Sequence, residues 1–212
     1  MSSWLVASIL LEAGGLWLTA RYGLLSYYAI LHMLMVSIFS QKLIAVFGLI
    51  SNQGCLWYAV VVAVVLMTLE REGQARASRL VFGIYVTLGV YLLTVQFAVL
   101  EPRLQGNTYP ALDAAADQSW SVVLASVLAF GLAQIALIWT YQRLRGYLLW
   151  RYLCAVIIGQ AVDSIVFFQV AFGGQVLGYK RIMLDGFVLK VLFGLCFAPV
   201  VLWAGKPKVK AR

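Results

Sequence analysis

The chain has 212 residues, of which 63% are hydrophobic and 11% charged, with a mean hydropathy of +0.92 and a formal net charge of +8. A soluble domain is about 45–50% apolar and about 25% charged, so these proportions exclude an ordinary globular fold and mark an integral membrane protein. The basic residues lack the clustered face with interleaved aromatics that nucleic-acid binding needs; they sit at the ends of apolar segments, where they set topology.

Seven apolar segments are predicted in chain order, at 4–20, 24–48, 54–70, 79–100, 119–142, 148–172 and 182–204. Each approaches the ~20 residues that a helix needs to cross a bilayer, and no soluble domain separates off, so a single transmembrane domain over 1–212 is expected. Segment one is the weakest, carrying Glu12, Gly14 and Gly15. Nothing basic precedes it, so no cleavable signal peptide is expected. Segment two holds His32, read as a packed imidazole, and Lys42. Glu70, Arg71, Glu72, Arg76 and Arg79 join segments three and four as a solvated ion-pair cluster. The polar stretch 101–119 is too short to fold alone. Segments five and six, LASVLAFGLAQIALIW and CAVIIGQAVDSIVFF, echo one another, and their small residues permit close helix contacts, including those of a homodimer. Turn signals lie at Asn52-Gln53-Gly54, Glu72-Gly73-Gln74, Gly106-Asn107 with Pro110, Arg145-Gly146 and Gly173-Gly174. The basic tail GKPKVKAR suits an anionic lipid surface. Cys55, Cys154 and Cys196 form an odd, dispersed set that suits neither disulfides nor a metal site, and no cofactor is expected.

Orientation follows from lysine and arginine. With the N-terminus outside and the C-terminus inside, 11 of the 16 basic residues fall on the cytoplasmic side. Arg103, Lys180 and Arg181 fall outside, and Lys42 and Lys190 within spans.

The informative residues are the polar ones inside the spans. Asp163 stands in the middle of segment six, and a carboxylate in hydrocarbon costs at least ~2.5 kcal/mol unless it faces a partner, water or a ligand. At ~1.5 Å of rise per residue, Glu12, Lys42, Asp163 and Lys190 all lie about 9–14 Å below the outer boundary, a neutral set at one level. The longer side chains of Glu12, Lys42 and Lys190 can also snorkel to the interface; Asp163 is too short to do so. Gln160, Asp163 and Phe167 share one helix face, and a carboxylate, an amide and a ring in one stripe can recognise a flat heterocycle. Gln134 adds a second amide, with Ser164 beside the aspartate. The alternative is that the glutamines tie helices together, worth about 0.6 kcal/mol each. Arg151 is read as an anchor to headgroups.

The stretch GQAVDSIVFFQVAFGG, with Arg151 nine positions before Gln160, resembles the penultimate helix of the queuosine precursor transporter family, once called vitamin uptake transporters. The resemblance extends over residues 21 to 200. It includes Arg21-Tyr22-Gly23, Tyr27-Tyr28, Lys42 with Phe47-Gly48-Leu49, Gly54, Glu70, Gly73, Ala75-Arg76, Arg79, Ala125-Ser126, Ala129, Gln134, Lys190 and Pro199. It implies an all-α protein of seven transmembrane helices, a six-helix core preceded by one N-terminal helix, in a bacterial cytoplasmic membrane. The implied activity is import of a 7-deazaguanine base such as preQ0 or preQ1. Asp163 would be the recognition carboxylate, Gln160 and Gln134 the amide readers and Phe167 the stacking ring. Lys190 and Lys42 would be charge partners of Asp163, with Arg151, Glu70 and Ser164 in support. The chain departs from the family at Leu66 and Leu137, where aspartates are usual, and at Ser37, where an asparagine is.

Three other classes compete. Lys190 in the last span suits a retinal-binding rhodopsin, but Asp185 lies five residues before it rather than four, and segment three lacks a counter-ion pair. An enzyme would need a nucleophile–base pair or a metal spacing, and His32 is the only histidine, so no catalysis is expected. The membrane subunit of an ATP-driven vitamin or nucleobase uptake system would look alike in sequence.

Overall fold

A computed structural model describes residues 3–39, 43–100, 120–172 and 179–204. Seven helices are described: α1 (Ser3–Tyr22), α2 (Leu25–Phe39), α3 (Gly54–Glu72), α4 (Gln74–Leu100), α5 (Trp120–Arg143), α6 (Leu148–Phe172) and α7 (Tyr179–Ala204). Five of them, α3 to α7, are long and apolar enough to cross a membrane, and α2 is a shorter apolar helix. Lys42, residues 101–119, Gly173-Gly174 and the basic tail lie outside the described residues.

The predicted segment 24–48 is not one helix. After α2, strands β1 (Leu43–Val46) and β2 (Leu49–Asn52) form an antiparallel hairpin in which Val46 faces Leu49. Phe47 and Gly48 both take positive φ, 55° and 77°, the two-residue turn whose twist matches that of paired strands. Ile44, Val46 and Ile50 are β-branched and suit strands, and the positive-φ turn at Phe47-Gly48 breaks any helix there. The outward N–H of Ile50 is taken by Asp185 of α7 at 3.2 Å, which fixes the hairpin against that helix.

Helix α3 is the hub. It packs against α1, α2, α4, α5 and α7, and all but one of the residues from Gly54 to Leu69 are buried. A helix apolar on every side belongs inside a bundle, and valines that favour strands elsewhere stay helical where the backbone must bond to itself. The outer helices instead keep one lipid-ready stripe: Phe82, Val86, Val90 and Leu93 on α4, and Leu124, Leu128, Leu132, Ile135 and Trp139 on α5, are exposed at helical spacing.

Local signals end the helices where expected. Gly23, with φ 75°, follows α1, and Leu24 N–H closes onto the Thr19 carbonyl at 2.8 Å, the six-to-one bond of a glycine-terminated helix. Glycines also set helix spacing. A Cβ on Gly159 of α6 would meet Leu137 of α5 at 2.9 Å, and one on Gly194 of α7 would meet Val156 of α6 at 2.8 Å. These small residues thus serve contacts within the chain.

Candidate functional site

The close crossing at Gly159 brings α5 and α6 together beside Gln160, whose neighbour across the crossing is the Ala133 to Leu137 turn that carries Gln134. One turn further along α6, Asp163 accepts a hydrogen bond from Lys190 of α7 at 2.5 Å. Both are buried, each 8% exposed. Lys190 also stands 5.6 Å from the ring of Tyr58 on α3. The Tyr58 hydroxyl faces the Asp163 carboxylate and the Gln134 amide, close enough to interact but short of hydrogen-bond geometry. Three helices and the hub therefore converge on one polar cluster.

The cluster is unsaturated. Among the described residues, both amide atoms of Gln134, both of Gln160, the Tyr58 hydroxyl and Ser164 Oγ are buried without a partner in hydrogen-bond geometry. Leaving such a group unpaired costs about 1–3 kcal/mol, so several together form an unusual concentration of unmet hydrogen-bonding capacity. Gln134 of α5 faces Tyr58 of α3, as a residue tying two helices would, while Gln160 has no such neighbour among the described residues. Lys190 occupies Oδ2 of Asp163, and a carboxylate has about four acceptor sites, so capacity for an incoming pair of N–H donors remains.

Tyr58 was not singled out from the sequence. The available signal is that it carries the only hydroxyl between Cys55 and Met67, in the most apolar helix of the chain. Phe167 lies one turn beyond Asp163, half-buried and edge-on to Phe168 at 5.3 Å. The hairpin reaches the same region: Ser51 Oγ lies against Gly186 of α7, one turn before Lys190, and Cys55 lies within reach of the Lys190 charge.

Other expected members fall elsewhere. Arg151 and Glu70 form a separate group toward the opposite end of α6, since twelve residues of helix separate Arg151 from Asp163 by about 18 Å. There Glu70 accepts from Tyr141 at 2.7 Å and pairs with Arg151 at 3.4 Å, while the Arg151 guanidinium covers the Tyr141 ring at 4.1 Å. Arg151 is thus turned inward to a carboxylate and a ring rather than outward to headgroups. Of the expected ion-pair cluster, only Arg76–Glu72 is an exposed pair, at 3.2 Å; Arg71 reaches back to the Ala20 carbonyl at 2.7 Å.

The four-charge set at one level also divides. Glu12 neither snorkels nor joins Asp163: its Oε2 accepts from the Tyr28 hydroxyl at 2.6 Å and lies 2.6 Å from His32 Nε2. His32 is a bonded member of that network, not an inert core imidazole, with Nδ1 2.7 Å from the Tyr28 carbonyl. Among the described residues no group of three or more histidines, cysteines or carboxylates could hold a metal ion.

A family model described as "Putative vitamin uptake transporter" matches residues 52–204, which takes in the hub helix, the glutamine pair, Asp163 and Lys190. No curated protein and no protein of solved structure matches the chain.

Proposed function

The chain belongs to the vitamin uptake transporter family, as a multi-pass membrane protein, and on that premise we propose that it imports a 7-deazaguanine base such as preQ0 or preQ1 across a bacterial cytoplasmic membrane. In this reading α1 and α2 complete a set of seven spans, with the N-terminus outside and the C-terminus inside. The observation that carries the substrate assignment is the partnerless polar cluster beside the Asp163–Lys190 pair.

The chemistry matches a guanine-like edge. A ring N–H beside an exocyclic amine offers two parallel donors, and Asp163 is the carboxylate to accept them. Gln160 and Gln134 read the adjoining carbonyl and ring nitrogen, each amide presenting both a donor and an acceptor. Tyr58 and Ser164 add hydroxyls that donate or accept as the heterocycle requires. Phe167 supplies a ring face for stacking. Lys190 supplies the opposite charge that compensates the buried Asp163 carboxylate before and after the solute passes.

The arrangement also favours release. A solute that satisfies groups otherwise left unpaired binds with a gain, yet the Asp163–Lys190 bond persists without it, so the empty carrier keeps its charges matched. Uptake of labelled preQ0 and preQ1 into cells unable to synthesise them tests the reading. Asp163→Asn should abolish uptake while the protein still reaches the membrane; undiminished uptake by that variant removes the assignment.

A further inference from the structure

The network of Glu12, Tyr28 and His32 lies outside residues 52–204 and includes none of the groups around Asp163. A backbone carbonyl can only accept, so the 2.7 Å contact between His32 Nδ1 and the Tyr28 oxygen requires a hydrogen on Nδ1. His32 Nε2 stands 2.6 Å from Glu12 Oε2, too close for two lone pairs to face one another. A hydrogen therefore lies between them as well, whether as imidazolium with carboxylate or as neutral imidazole with carboxylic acid.

In either form the pair holds one proton more than a neutral imidazole and a carboxylate together. The neighbours do not supply it. Tyr28 spends its own hydrogen on the same Oε2, and the Trp57 indole facing Glu12 is a donor only. We propose that the Glu12–His32 pair is the proton-binding site through which uptake draws on a proton gradient, a reading that rests on the transport function proposed above.

The coupling follows from what loss of that proton does. It leaves an imidazole lone pair against a carboxylate at 2.6 Å, so the contact must open, which loosens α1 from α2 and frees the two helices to shift. Two routes carry such a shift to the substrate cluster. Trp57 faces Glu12 and stacks on Phe39 at 4.6 Å, and the next residue of α3 is Tyr58, which faces Asp163. Helix α1 also packs on α7, where Trp17 stacks on Trp203 at 5.9 Å, and α7 carries Lys190. No covalent bond changes; the proton leaves the pair for water and returns from it.

Most charged groups on the surrounding helices are otherwise engaged, and Lys180 and Arg181 at the start of α7 are exposed. On α3, Arg71 holds the Ala20 carbonyl and Glu70 holds Arg151 and Tyr141; on α4, Arg76 pairs with Glu72 and Arg79 reaches the Ala75 carbonyl. On α7, Asp185 accepts from Ile50 and Lys190 from α7 donates to Asp163, while Arg21 of α1 lies over its own Trp17. None of these groups contacts the Glu12–His32 pair, so among the described residues the extra proton is shared by Glu12 and His32.

His32 is the only histidine in the chain, so isotopic labelling of histidine in the full protein, reconstituted in lipid vesicles, reports this one ring. The magnetic resonance spectrum should show a hydrogen on Nδ1 at every pH and an Nε2 signal whose titration moves in Glu12→Gln. An Nδ1 without hydrogen, or a titration that Glu12→Gln leaves unchanged, overturns the site. In the same vesicles, Glu12→Gln and His32→Gln should lose accumulation of a labelled 7-deazaguanine driven by a pH gradient, while keeping exchange at equal pH. Gradient-driven accumulation at the wild-type level in both variants overturns the coupling. Should wild-type protein exchange no 7-deazaguanine, the substrate reading falls, and the histidine spectrum still decides the proton site.

Discussion

The two polar clusters, one half-buried and one buried, differ in one respect that separates their roles. Around Glu12, the carboxylate oxygen, the tyrosine hydroxyl and both imidazole nitrogens are bonded within the chain. Around Asp163, the lysine bond is made, and among the described residues two amides and two hydroxyls lack a partner in hydrogen-bond geometry. A saturated cluster already holds what it was built for, here a proton. An unsaturated one stores hydrogen-bonding capacity at a cost of about 1–3 kcal/mol per group, which a solute can recover.

The contrast can be broken most sharply at the charge pair. Lys190→Met leaves Asp163 buried and unpaired and should destabilise the protein by about 3–5 kcal/mol, read as a loss of resistance to thermal or detergent unfolding. The double variant Lys190→Met with Asp163→Asn removes the charges together and should recover most of that stability without recovering uptake. Equal stability of the single variant and wild type would mean that the pair is not buried as described.

A smaller effect sharpens the same contrast. Tyr58→Phe removes a hydroxyl that makes no hydrogen bond of good geometry among the described residues, so stability should hold or rise. Affinity for the deazaguanine should fall by about 1 kcal/mol, roughly fivefold, as measured by binding to purified protein. By comparison, removing the partnered Tyr28 hydroxyl subtracts a bond that the protein itself uses.

How much of this could be read from the sequence depends on which physical signal each residue emits. Asp163 and Lys190 stand out because a charge in an apolar run has a cost that demands an explanation, and Gln160 joins them by helical spacing. Helices α3 to α7 follow from hydropathy, with ends set by glycine and by breaks in the apolar runs. The hairpin was hidden because its turn is Phe47-Gly48, without the asparagine or aspartate that usually announces such a turn, and its strands are as apolar as a span. Tyr58 was hidden because one tyrosine among valines reads as packing. The pairing of Glu12 with His32, and of Arg151 with Glu70, joins residues on different helices, and a single sequence carries no record of which helices touch.

The central claim, that the partnerless groups beside Asp163 await a solute, is tested most directly at Gln160, which is fully buried with both amide atoms unpaired. Binding of a 7-deazaguanine and thermal unfolding should be measured on purified Gln160→Leu beside wild type. The account predicts binding weaker by about tenfold or more, with an unfolding temperature unchanged or raised, because leucine replaces an amide that nothing among the described residues satisfies. A lowered unfolding temperature with unaltered binding would show that the glutamine serves the fold, and would contradict the account.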